Sequence, residues 1–140
     1  GYIRNFYNRR RRLKPDEVYK APNALIQGCA ADYMKHKLVL IYKFLMSHGY
    51  KTRMINVVHD EVVFEVHKSE LFLIPKLRWL LSDFENFRVP ITAGVDRGNP
   101  SWGEKEEVNI DFEPLTEEEM KATLAYNVFN GDVFEITKTA

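Results

Sequence analysis

Hydrophobic and polar positions change period several times along this chain. Between Asn23 and His48, Leu25, Cys29, Met34, Leu38, Ile41 and Leu45 recur at steps of three to five residues, which lays apolar side chains along one helical face. Gly49 follows as a natural C-terminal stop. Upstream, Ile3, Asn5 and Tyr7 alternate before a turn near Asn8 and a run of arginines from 9 to 12, a pattern that predicts a β-hairpin. Asn8 suits that turn because Asn tolerates left-handed backbone. Residues 54–66, "MINVVHDEVVFEV", are rich in Val and Ile but too long for one ordinary strand, and His59, Asp60 and Glu61 sit at the middle. Burying those charges among Val and Phe costs several kcal/mol unless they are paired or metal-bound. The segment therefore reads as a hairpin with His59 and Asp60 at its turn, although no Gly or Asn marks it.

Further along, Ser69 is placed to cap a second helix running to about Glu85, with Leu73, Leu77, Leu80 and Leu81 inward and Pro75 either kinking it or marking its first turn. "PITAGVD", 90–96, reads as a strand, and "GEKEEVNIDFEP", 103–114, as an acidic connector. Thr116 and Glu119 have the spacing of a capping box for a short helix, after which Asn130 and Gly131 predict a turn before a final strand, "DVFEIT". These elements predict an α+β fold: an antiparallel sheet with a central β-hairpin, packed helices, and a short C-terminal helix–strand appendage.

The composition, 140 residues with 45% hydrophobic and 29% charged, is that of an ordinary soluble domain. A lone cysteine, Cys29, excludes an internal disulfide framework. No apolar run reaches the ~18 residues of a membrane span, and the first residues lack the apolar core of a signal peptide, so a soluble protein is expected. The net charge of zero conceals a gradient. Residues 1–53 carry 12 Lys and Arg against 3 Asp and Glu, residues 54–102 carry 5 against 7, and residues 103–140 carry 3 against 10. A basic end suits a polyanion, with the acidic end kept away from it; two solvated faces of opposite sign are the plainer alternative.

The triplet at 59–61 suits Mg²⁺, which keeps several waters and is held by one or two carboxylates together with substrate phosphates. A turn whose charges merely face water is the alternative. Zinc is poorly served, since His36, His48 and His67 lack partners at ligand spacing, and no serine sits in a nucleophile elbow. On the first helix Asn23 and Gln27 are four residues apart and share a face. Two amides so placed can reach the minor-groove acceptors that every base pair displays alike, or they can merely cap and pack. Asp32 is as well suited to a salt bridge as to a functional role.

Three blocks in order resemble the C-terminal half of the palm of the family A DNA polymerases: "GYxxxxxxRRR" at the start, Ala21, Asn23, Gln27, Gly28, Ala30, Ala31 and Asp32 on the helix, and "VHDEVVFE" in the hairpin. The resemblance covers about residues 1–102 as palm and leaves 103–140 as an acidic appendage. It implies a DNA-directed DNA polymerase. In that reading Asp60 and Glu61 serve a pair of Mg²⁺ ions, Asp60 as ligand and Glu61 in support, while His59 touches the primer near its 3′ end. Asn23 and Gln27 contact the minor groove, and Arg9, Arg10 and Arg11 lie near nucleic acid or a neighbouring subdomain. The implied reaction is attack of the primer 3′-hydroxyl on the α-phosphate of a deoxynucleoside triphosphate. Primer–template DNA and nucleotides are the implied partners, no membrane is involved, and the cytoplasm of a bacterium or phage-infected host is the implied location, with an organelle as an alternative.

The sequence departs from the family pattern at Asn8, Tyr19, Leu25, Cys29 and Val57, where Gly, Arg, Pro, a small hydroxyl residue and Gln are usual. The family's first carboxylate motif and its fingers helix find no match in these 140 residues. A two-metal site needs a carboxylate from that first motif. The expectation is therefore activity only alongside a polypeptide that carries both, with a non-catalytic duplex-binding or assembly module as the alternative. An unrelated Mg²⁺-dependent nuclease would be equally short of ligands.

Overall fold

The computed structural model describes residues 1–98 and 101–127. Among them the order is β1 (Tyr2–Arg4), β2 (Arg10–Arg12), α1 (Ala21–Ser47), β3 (Arg53–Val58), β4 (Glu61–Glu65), α2 (Leu73–Leu81), β5 (Val95–Gly98), β6 (Lys105–Val108) and α3 (Glu117–Ala125). The fold is α+β, and its antiparallel pairing takes the form of three two-stranded ladders, β1–β2, β3–β4 and β5–β6. The expected final strand at 132–137 and its turn lie outside the described residues. Two compact units divide the chain, residues 1–38 and residues 39 onward, and α1 runs from one into the other.

In the first unit the β1–β2 hairpin turns through Asn8, whose φ is 64°. The Asn5 side chain closes the loop by accepting the Tyr7 and Arg9 backbone N–H groups at 3.0 and 2.9 Å. α1 begins at Ala21 with Pro22 in its first turn, where a missing N–H costs nothing. Tyr7 stacks on His36 of α1 with ring centroids 4.8 Å apart. Asp32, also on α1, receives Asn5 Nδ2 at 2.6 Å and the Arg9 guanidinium at 2.7 to 2.9 Å.

The second unit is organised around Ile41, Phe44 and Leu45 of α1 and Leu73, Leu77 and Leu80 of α2. α1 stops where Gly49 takes a φ of 67°, and the Gly49 and Tyr50 N–H groups return to the Met46 and Leu45 carbonyls, the paired bonds of a Schellman end. The inward face contains Phe44, which the expected stripe of Leu25, Cys29, Met34, Leu38, Ile41 and Leu45 passed over. Met54 of β3 and Phe64 of β4 pack on the same cluster, which seats the central hairpin on the core.

Three expectations need correction. The Ser69 cap fails because the chain first makes a short 3₁₀ turn, Lys68–Glu70, capped by the His67 ring, so α2 begins only at Leu73 with Pro75 in its first turn. α2 ends at Leu81 instead of Glu85, because the Asp83 carboxylate takes the Glu85 and Asn86 N–H groups at 3.0 and 2.9 Å and offers them an alternative to the helix. The strand expected at 90–96 begins only at Val95, since the Ala93 N–H and carbonyl are taken by Ser82 Oγ and Arg78 Nε instead of a ladder.

The acidic connector is itself partly a strand. β6 pairs with β5 in the register Val95↔Val108, Asp96↔Glu107, Arg97↔Glu106 and Gly98↔Lys105, so two valines meet and Arg97 faces Glu106, while Asp96 and Glu107 set like charges opposite each other. Beyond it, Arg78 of α2 donates to the Ile110 carbonyl and lies 4.0 Å from the Phe112 ring centre. α3 carries the capping box in full, with Thr116 Oγ1 accepting from the Glu119 N–H and Glu119 accepting from the Thr116 N–H, and Lys76 of α2 bonds Glu119 at 2.9 Å.

Candidate nucleic-acid and metal site

The β3–β4 hairpin reverses in two residues, His59 and Asp60, between the paired positions Val58 and Glu61. Of the two turn residues His59 has a positive φ, 55°, a region that favours glycine. Histidine is among the side chains that tolerate this region, but the conformation still stores strain that the surrounding structure must hold. A register shift between Met54 and Asn56 puts one extra residue in β3, the kind of bulge that re-aims side chains near a hairpin end.

His59 and Asp60 are both exposed at the tip. Among the described residues no hydrogen bond or ion pair engages Asp60, so its carboxylate faces solvent freely. Glu61 differs. Its Oε1 accepts from Trp102 Nε1 at 2.8 Å and its two oxygens lie 3.1 and 2.9 Å from Lys105 Nζ. Lys105, and then the Trp102 indole, hold the Glu61 carboxyl below its ordinary pKa. Among the described residues no group of three or more His, Cys, Asp or Glu side chains could enclose a metal. The residues present thus fit one carboxylate ligand of a Mg²⁺ ion that takes its other oxygens from water, phosphate or another segment, and they do not fit a complete two-metal site.

In the first unit Asn23 and Gln27 are exposed on α1, one turn apart. Arg10 and Arg11 are exposed on β2 and point to opposite sides, and Arg10 also lies 4.7 Å from the Tyr2 ring centre. Arg9 spends its guanidinium on Asp32, whose carboxyl is lowered by the Arg9 hydrogen bonds and then by Asn5, while Arg9 is raised in turn.

Sequence reasoning passed over Lys105 and Trp102. The available signal was faint: Lys105 is the one basic residue between 103 and 120, set among glutamates. Its partner lies 44 positions away.

This α+β chain presents an exposed carboxylate at a hairpin tip, with arginines and paired amides elsewhere on its surface. Residues 1–104 match the model of DNA polymerase family A, and the chain belongs to that family. It is similar to DNA polymerase I of Streptococcus pneumoniae serotype 4, 36% identical over 110 residues that cover 70% of this chain and 12% of the relative. DNA polymerase I of Chloroflexus aurantiacus is 31% identical over 115 residues, covering 74% of this chain and 12% of the relative. DNA polymerase I of Synechocystis is 38% identical over 85 residues, covering 60% and 8%. The chain therefore spans about 12% of the length of the first two relatives. No solved structure matches it with significance. No helix among the described residues is long and apolar enough to cross a membrane.

Proposed function

We propose that this chain supplies the C-terminal palm portion of a DNA-directed DNA polymerase. The observation that carries the reading is the two-residue reversal that exposes His59 and Asp60 within the segment resembling the family's third motif. Asp60 holds Mg²⁺, Glu61 supports the turn from the adjoining strand, and His59 meets the primer near its 3′ end. Asn23 and Gln27 lie along the minor groove, where their amides test base-pair geometry without reading sequence. Arg10 and Arg11 meet phosphates, and Arg9 holds their hairpin to α1 through Asp32. Residues 1–102 form the palm portion and 103–140 the appendage.

Bound Mg²⁺ would stabilise charge on the reacting phosphate oxygens. The chain's own part is positioning: a carboxylate at a hairpin tip and donors along a duplex. The first carboxylate motif and the fingers come from another segment or polypeptide. The edges of β3–β4 favour this, because a two-stranded hairpin is marginal alone and Ile55 and Val57 of β3 remain 58% and 42% exposed. Primer–template DNA and deoxynucleoside triphosphates are the substrates, and the cytoplasm of a bacterial or phage-infected cell is the setting.

The test is primer extension with Mg²⁺ and nucleotides. The isolated chain is expected to extend nothing, and the assembly that contains it to lose synthesis when Asp60→Ala is introduced, with salt-dependent DNA binding kept. Extension by the isolated chain would sink the requirement for a second segment. A second reading, a non-catalytic duplex-binding or assembly module, draws on the same exposed arginines, and it predicts that Asp60→Ala leaves synthesis in the assembly untouched.

A further inference from the structure

We propose that Trp102 and Lys105 form a latch that positions the His59–Asp60 turn by gripping Glu61, and that Glu61 serves the site as the anchor of that latch instead of as a metal ligand. The proposal rests on the palm reading for its purpose but not for its geometry. Both Glu61 oxygens are engaged: Trp102 Nε1 and Lys105 Nζ lie 2.8 and 3.1 Å from Oε1, and Lys105 Nζ lies 2.9 Å from Oε2. Lys105 Nζ also sits 5.0 Å from the Trp102 ring centre, so the three groups hold one another. A metal at Glu61 would have to share these oxygens with the ammonium.

The turn needs such a hold. His59 keeps a left-handed backbone that persists only where neighbours over-determine it, and two strands alone do so weakly. Met54 and Phe64 fix the far end of the hairpin to the core, whereas Glu61 is the last paired residue before the tip. The latch thus pins the end that the core does not reach. On the latch's own side Gly98 of β5 lies against the chain at Ser101, where a Cβ would come 2.9 Å from the Ser101 carbonyl oxygen. Lys105 begins β6, just past the segment that matches the polymerase family. The stretch from Trp102 to Lys105 therefore acts as a positioning element for Asp60, and Trp102 and Lys105 are its positioning residues.

The full chain can be tested in solution by two readouts, hydrogen exchange at the amides of residues 57–62 and the Trp102 indole N–H resonance. Lys105→Met and Trp102→Phe are each expected to speed exchange at the turn about two- to fivefold, the factor that an exposed charged pair carries. Exchange at α2 should stay unchanged, which separates the latch from general loosening. Lys105→Met should also shift the indole resonance, and Lys105→Arg should restore both readouts. Glu61→Gln combined with Lys105→Met should exchange no faster than the worse single variant. Unchanged turn exchange in Lys105→Met, or additive effects in the double variant, would overturn the latch. Asp60→Ala should leave both readouts at their wild-type values, so a failure of the polymerase reading shows in primer extension alone and a failure of the latch shows here.

Discussion

Phe44→Ala tests whether one core seats both the long helix and the hairpin that carries Asp60. The Phe44 side chain has no exposed surface and lies among Ile41, Leu45, Leu73, Leu77 and Leu80, with Met54 and Phe64 packed on the same cluster. Its ring also meets His48 and Tyr50, with centroids 5.0 and 5.6 Å away. Removing the ring forfeits about 2–3 kcal/mol of apolar burial. The void, about 100 Å³ if nothing collapses, adds about 2 kcal/mol at about 24 cal/mol per Å³. Helices on two sides and the hairpin on a third leave only partial room to close, so a total of about 4 kcal/mol is expected, within the usual Phe→Ala span. In urea, with a slope of about 2 kcal/mol/M for a chain of this size, the midpoint followed by far-ultraviolet circular dichroism should fall by about 2 M. Val39→Ala, on the exposed side of the same helix, should stay within about 0.5 kcal/mol of wild type. A fall of less than about 0.5 M for Phe44→Ala, or an equal fall for Val39→Ala, would refute the packing described.

Other outcomes follow from single features. Arg9→Gln should return the Asp32 carboxyl toward its ordinary value, measured by carboxyl NMR titration. Because the folded Asp32 is depressed by Arg9 and Asn5, its stabilisation of the β1–β2 hairpin is complete above the unfolded value of about 3.9 and is lost only as pH falls through the lower folded one. In Arg9→Gln that loss should be smaller and should finish at higher pH, nearer the unfolded value. His59→Val should destabilise the hairpin by about 1–2 kcal/mol, read by urea unfolding, since a β-branched side chain resists a φ of 55°; no change would mean the turn is not left-handed. Thr116→Ala should cost α3 about 1 kcal/mol by removing its cap, seen as faster amide exchange in residues 117–121 while α2 is unaffected.

Local chemistry accounts for what the sequence could determine unaided. The apolar spacing of the first helix, Gly49 at its end, Asn8 at the first turn and the Thr116–Glu119 box each act within a few residues, and each stands where that spacing put it. The reversal at His59 and Asp60 was legible for a related reason: a charged pair cannot lie in the middle of a buried apolar strand, so the chain must turn there.

Other features needed partners that lie far apart in the chain. The end of α2 depends on Asp83 competing for backbone donors, and the late start of β5 depends on Arg78 and Ser82 taking the Ala93 backbone. β6 was hidden inside an acidic stretch because its strand character comes from facing Val95 and Arg97, not from its own alternation. The grip of Lys105 and Trp102 on Glu61, and of Arg9 on Asp32, likewise joins residues whose separation along the chain carries no period. Residue order thus determines where this backbone can bend or coil, because those energies are short-range. Only tertiary folding decides which charges meet, since an ion pair forms by distance in space, and that choice separates the bound Glu61 from the free Asp60 beside it.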